Sequence, residues 1–166
     1  MSVTAVRIRP FNTPLECGLR LLFTLDAARG CPLDLQRLVA YDYLLVHSGD
    51  VEMGPTSLHP AVPFRGGELL VKRDLVQAGL NVMFARELLT KRFEPSGIWY
   101  RSNDLTAPFL RLLVSPYASA LRSRAEWVTN HFASFTDDLL ENYMTQSIGR
   151  WGAEFERLTA IRELEL

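Results

Sequence analysis

The chain has 166 residues, 48% of them hydrophobic and 22% charged, and a formal net charge of −1. That is enough for one domain, or one domain with a helical extension, and enough apolar side chain for a sizeable core. A pI of about 6.3 argues against a global basic field for nucleic acid, and the sequence has no 18-residue apolar run that would span a membrane.

Charge is unevenly spread. Arg65 to Arg101 holds seven basic and four acidic residues, and Ser134 to Leu166 three basic and seven acidic, so a +3 middle precedes a −4 tail. Two surfaces with different partners would produce this, as would ordinary solvated faces. Cys17 and Cys31 lie at either end of a predicted helix, roughly 20 Å apart at about 1.5 Å per residue, which is too far for a disulfide. There is no CxxC pair to suggest zinc. Without a leader-like apolar run, a reducing cytoplasm is the expected compartment.

Residues 1–12 read as an extended arm. The first helix has a clear start: Thr13 as N-cap, Pro14 at the first helical position, and Glu16 to complete a capping box. Leu15, Leu19, Leu22 and Phe23 give it a core stripe, and Gly30 offers a stop. The second helix opens at Asp34, with Leu33 and Leu38 spaced as a hydrophobic staple. Leu35, Leu38, Val39, Leu45 and Val46 form its buried face, and Asp42 lies on or near that face. Residues 49–67 form a long Gly- and Pro-rich loop, a length that is usually functional or mobile. A third helix starts near Gly67–Glu68 and carries Leu69, Val76, Leu80, Met83 and Leu88, with Gly79 as a place to break or bend.

A hairpin follows. Leu89–Phe93 forms one arm, Glu94-Pro95-Ser96-Gly97 the turn, and Ile98–Arg101 the return; proline fixes φ and glycine accepts positive φ. Two helices, a third, and then a basic hairpin is the ordering of a winged helix. The expected fold is therefore mainly α (α+β), with a winged-helix-like domain over 13–102. A helical region over 103–166 packs on it. That region reads as a short helix from Leu105 to Val114, a helix capped by Ser115-Pro116, another capped at Thr136–Asp138, and a last segment from Trp151.

Few residues suggest chemistry. His47, Asp50 and His59 have the right side chains for a metal but no recognised spacing. Helix-end, turn and pre-proline roles are the commoner explanation. Asp42 sits in the apolar run Val39 to Val46, so it needs a partner or must neutralise. An ion pair or hydrogen bond, with an arginine or the following loop, is expected ahead of a catalytic base. Ser57 and His59 lack a nucleophile elbow, and Gly66-Gly67 lacks the GK[ST] of a P-loop. No catalytic residue, cofactor or metal is expected.

The binding candidates are on the surface. Lys91, Arg92 and Arg101 on the hairpin, with Lys72 and Arg73 on the third helix, would meet phosphate or an acidic partner. Phe93, Trp99 and Tyr100 should alternate between core and surface rather than stack on bases. Trp151 and Phe155, four residues apart, would form an aromatic pair rimmed by Glu154 and Arg157. That pair could serve as partner anchors or as core.

Several stretches resemble one family. They are FNTPLECGLRLLFTLDA from Phe11, PLDLQRLVAYDYLLVHSGDV from Pro32, SLHPAVPFRGGELLVKRDLVQAGL from Ser57, then GIWYR, SPYASALRSRAEWV and WGAEFE. Together they are similar to the second middle-component family of bacterial ABC-three-component systems, to which Lamassu-type defence is related. The resemblance implies a non-enzymatic adaptor beside an ABC/SMC-like ATPase and a variable third-component effector. It implies a role in antiviral or anti-plasmid defence, with DNA met through the complex and no membrane part. A winged-helix transcriptional regulator is the alternative. A regulator needs polar base-reading side chains, for which Lys72, Arg73, Gln77 and Asn81 are the candidates.

Overall fold

The computed structural model describes residues 13–61 and 65–164, with side chains for 13–61 and 72–150. The arm expected over 1–12 lies outside the described residues. Helix α1 (Pro14–Ala27) begins at the capping box, where Glu16 N donates to Thr13 Oγ1 at 3.2 Å and Thr13 N to Glu16 Oε2 at 3.3 Å. It ends in a turn through Arg29 and Gly30, both at positive φ.

Asp34 closes the two-residue strand β1 (Leu33–Asp34) and also caps α2 (Leu35–Val46), accepting from Arg37 N at 2.8 Å. One residue thus pins the start of α2 to the sheet. The predicted stripe on α2 understates its burial, since every residue from Leu38 to Val46 is buried. The reason is position. Helices α1, α3 (Arg65–Ala85), α5 (Pro116–His131) and α6 (Asp137–Leu164) all pack on α2, so it has no solvent face over that stretch.

Helix α3 is continuous through Gly79. A Cβ there would lie 2.8 Å from Gly18 N and 3.0 Å from Pro14 O, so glycine serves a close crossing of α1 and α3 rather than a bend. The helix stops at Glu87 (φ 59), where Leu88 N turns back to Met83 O at 3.1 Å. That turn leads straight into the hairpin of β2 (Leu89–Glu94) and β3 (Gly97–Ser102), with Glu94 opposite Gly97. Antiparallel pairing of β1 with β3 gives a three-stranded sheet ordered β1-β3-β2.

The C-terminal helices pack on this unit. The short α4 (Thr106–Leu110) is narrower than the expected 105–114 helix. Ser115 caps α5, accepting from Ala118 N at 3.1 Å. The two helices expected after Thr136 are one: α6 runs unbroken for 28 residues, about 42 Å at 1.5 Å per residue. Phe132, Phe135 and Tyr143 cluster with ring centroids 5.0–5.9 Å apart, joining α5 to α6. Arg37 clamps the same junction to α2, donating to Asp137 Oδ1 at 2.8 and 2.9 Å and to the Phe135 carbonyl at 2.7 Å. Among the described residues no helix is long and apolar enough to cross a membrane.

Candidate functional site

The centre of the molecule holds a charged triad. Arg20 on α1 donates to both oxygens of Asp42, Nε to Oδ1 at 2.8 Å and a terminal nitrogen to Oδ2 at 3.0 Å. Lys72 on α3 donates to Oδ2 at 2.9 Å. All three are buried, at 2%, 0% and 3% exposure. Burial by itself would raise the Asp42 pKa, but Lys72 and Arg20 outweigh it and hold the carboxyl well below its ordinary range. Three helices therefore meet at one carboxylate held in its ionised form at neutral pH. Beside it, burial and then Asp42 push the Cys17 thiol far up, so it stays protonated and unreactive.

The long loop runs near enough to this triad for Arg20 and Lys72 to act on His59. It opens with a 3₁₀ turn, Ser48–Asp50, and doubles back so that Leu58 N and His59 N both donate to Val46 O, at 2.9 and 3.0 Å. Arg124 on α5 grips the Thr56 carbonyl at 2.8 and 3.1 Å. His59 Nε2 and the Tyr117 hydroxyl share a hydrogen bond of 2.8 Å. The expectation of a functional or mobile loop thus meets a segment that, up to residue 61, is fastened at several points. Burial first, then Arg20, Lys72 and His47, lower the His59 pKa to about 4. His47, Asp50 and His59 take hydrogen-bonding and ring-packing roles here: Tyr43 donates to Asp50 Oδ2 at 2.7 Å, and the two imidazoles meet edge to face at 6.3 Å.

The surface residues singled out from sequence do not converge. Lys72 is the clearest correction. It is buried in the triad, because a carboxylate inside the core draws the nearest ammonium inward, so it is not a surface contact. Arg73 is exposed and lines a cavity between α2 and α6 with Arg37, Asp137 and Glu141. Lys91 and Tyr100 pair across β2 and β3, as do Arg92 and Trp99, and Thr90 and Arg101. Alternation therefore puts Lys91 on the sheet face toward α3, and Arg92 and Arg101 on the opposite face. Arg92 is also matched by Glu94 at 3.3 Å. Trp151, Glu154, Phe155 and Arg157 lie on the helical backbone of α6, but their side chains fall outside the described ones.

Sequence reasoning missed a surface on the α3 side of the hairpin. The Lys91 ammonium lies 5.2, 5.8 and 5.7 Å from the ring centroids of Phe84, Phe93 and Tyr100. Phe84 is 46% and Phe93 75% exposed. Gln77 is tied to the Tyr100 hydroxyl at 3.2 Å, and Asn81 accepts from Lys91 at 3.4 Å. Alternation along β2 groups Lys91 with Phe93. Only the packing of α3 adds Phe84.

Residues 10–154 match the family described as ABC-three component (ABC-3C) system Middle Component 2. The chain belongs to that family. No curated protein and no solved structure matches it. Membership in Middle Component 2 implies further components of the same system as partners. The matched span takes in the triad, the loop, the hairpin and most of α6. It includes Trp151 and Glu154 and stops short of Phe155 and Arg157.

Proposed function

We propose that this Middle Component 2 protein is a non-enzymatic adaptor. It would join an ABC/SMC-like ATPase to a third-component effector in cytoplasmic defence against phages or plasmids. Family membership over residues 10–154 carries this reading. The state of the acidic and basic groups supports it. Asp42, the residue best suited to chemistry by its burial, is consumed by Arg20 and Lys72 in holding three helices together, and a carboxylate so held below its ordinary range is a poor general base at neutral pH.

We read the N-terminal unit as a winged helix. The order helix, strand, helix, helix, strand, strand, with the sheet ordered β1-β3-β2, supports this reading. The observed contacts favour the adaptor over a sequence-specific regulator. Of the four side chains expected to read bases, Lys72 is buried, and Gln77 and Asn81 are engaged with Tyr100 and Lys91. Any DNA contact through Arg73, Lys91, Arg92 and Arg101 would be to phosphate and weak. Trp151, Phe155, Glu154 and Arg157 remain the proposed anchors on α6.

Co-expression with the other components of the same system tests the adaptor reading. The tagged chain should retain the ATPase through size exclusion and show no turnover of nucleotide or nucleic acid by itself. Migration as a free chain with every component present, or robust turnover abolished by Asp42→Asn in a folded variant, would overturn it.

A further inference from the structure

We infer that the outer edge of β2 is a docking site for an extended segment of a partner subunit, which adds a fourth strand to the sheet. The inference rests on the adaptor reading and names a second surface for it, apart from the proposed anchors on α6. In the order β1-β3-β2, strand β2 pairs on one side only. An antiparallel strand points alternate N–H and C=O pairs away from its neighbour. Among the described residues, no backbone hydrogen bond reaches Leu89–Glu94 except those to β3. Such an edge is a template for another chain; the charges Lys91 and Arg92 blunt it against a neutral or basic strand and leave an acidic segment as the one that fits.

The side chains beside the edge say what kind of segment fits. Phe93 and Phe84 are exposed aromatic rings on the same side of the hairpin, and both touch Lys91. Lys91 has no carboxylate partner among the described residues; its polar contact is the 3.4 Å one with Asn81. Arg92, one residue on, is matched by Glu94. The open edge thus carries one unmatched cation between two apolar rings. That is complementary to one carboxylate flanked by apolar side chains at every second position of an extended chain. A shallow trough continues from Lys91 past Leu89 to Leu105, with Glu87 and Asp104 at its far end. Those two carboxylates disfavour a second acid there, so they favour the register that places the segment's acid at Lys91.

The test compares backbone hydrogen exchange of the full chain alone and in complex with the co-expressed ATPase and effector components. The amides of Leu89–Glu94 that point away from β3 should exchange at least tenfold more slowly in the complex. Phe93→Asp, at a position 75% exposed, should leave the free chain's Tm nearly unchanged. Lys91→Glu should lower it by no more than a few degrees as its ring contacts are lost, and both should lower partner retention at least tenfold. Unchanged exchange of these amides in an intact complex overturns the docking site and leaves the adaptor reading standing. Failure of the wild-type chain to retain any component overturns both. If the outward-pointing β2 amides are already protected in the free chain and removing residues 1–10 exposes them, the occupant belongs to this chain and the inference is wrong. It is also wrong if Phe93→Asp keeps its protein partners but loses a fluorescent oligo-dT probe.

Discussion

Gly18 and Gly79 face each other where α1 crosses α3. A Cβ on Gly18 would stand 2.8 Å from Gly79 O and 2.7 Å from Met83 Cε, and one on Gly79 would stand 2.8 Å from Gly18 N. The obstacle on both sides includes backbone, which no rotamer change can move. This crossing brings α3 near enough for Lys72 to reach Asp42. Gly79→Ala should therefore lose stability. Overpacking costs about 1–3 kcal/mol, against about 1 kcal/mol regained from helix propensity. Urea denaturation measures the balance, and a midpoint at or above that of the wild type would show that the helices separate freely.

The triad sets the second expectation. Asp42→Ala leaves two buried cations facing each other, and breaking a buried pair in this way costs about 3–5 kcal/mol. Arg20→Met should cost less, because Lys72 still pairs with the carboxylate. Equilibrium unfolding of the two variants should rank them in that order. A loss under about 1 kcal/mol for Asp42→Ala would mean that the charges are hydrated rather than sealed in the core.

Much of this organisation was legible in the sequence where a local rule governs it. The Thr13–Glu16 box, the Asp34 cap, the Ser115-Pro116 start and the 94–97 turn each depend on a few neighbouring side chains, and each stands where it was read. Asp42 announced a partner by its apolar setting. What failed to show depends on distant chain. Lys72 reads as a surface base until Asp42 is placed beside it. Gly79 reads as a helix breaker until Gly18 is placed against it. The sequence suggests a separate last segment from Trp151, yet α6 passes through that point because nothing in Ser147 to Trp151 stops a helix except Gly149, which costs about 1 kcal/mol. The exposure of Phe84 was also illegible, and for Phe93 the pattern went no further than alternation between core and surface, since a pattern of apolar residues does not tell what covers them.

His59 gives a dependence on pH. Its folded pKa is lowered to about 4 from an ordinary 6.5, by burial first and then by Arg20, Lys72 and His47. As pH falls through 6.5 the unfolded chain takes up a proton that the folded chain refuses, so the unfolded state gains. The stability that His59 contributes is full above pH 6.5, shrinks between 6.5 and about 4, and changes no further below that. Asp42 acts lower, because its contribution is lost only as pH drops through and below the ordinary carboxylate range. Urea midpoints at pH 7 and pH 5 should therefore differ more for the wild type than for His59→Gln. Equal differences in the two proteins would mean that the imidazole titrates in the native state as it does in water.

The last expectation concerns α6. Its backbone is helical from Asp137 to Leu164, so Trp151 and Phe155, four residues apart, share one face. Glu154 and Arg157 would border that face. The described buried residues of α6 are Leu140, Met144 and Ser147, all on its first half, where it packs on α2 and α3. If the aromatic pair anchors the ATPase or the effector, truncating both should remove about 2 kcal/mol or more per anchor, which is a loss of retention of at least several hundredfold at fixed concentration. Trp151→Ala with Phe155→Ala should then abolish co-purification and leave the Tm of the free chain within a degree or two. Circular dichroism melts and size exclusion of the co-expressed complex read the two quantities separately. A double variant that aggregates or melts early assigns the pair to the protein's own core. One that stays folded and keeps its partners moves the contact surface away from α6, with the β2 edge as the next place to test.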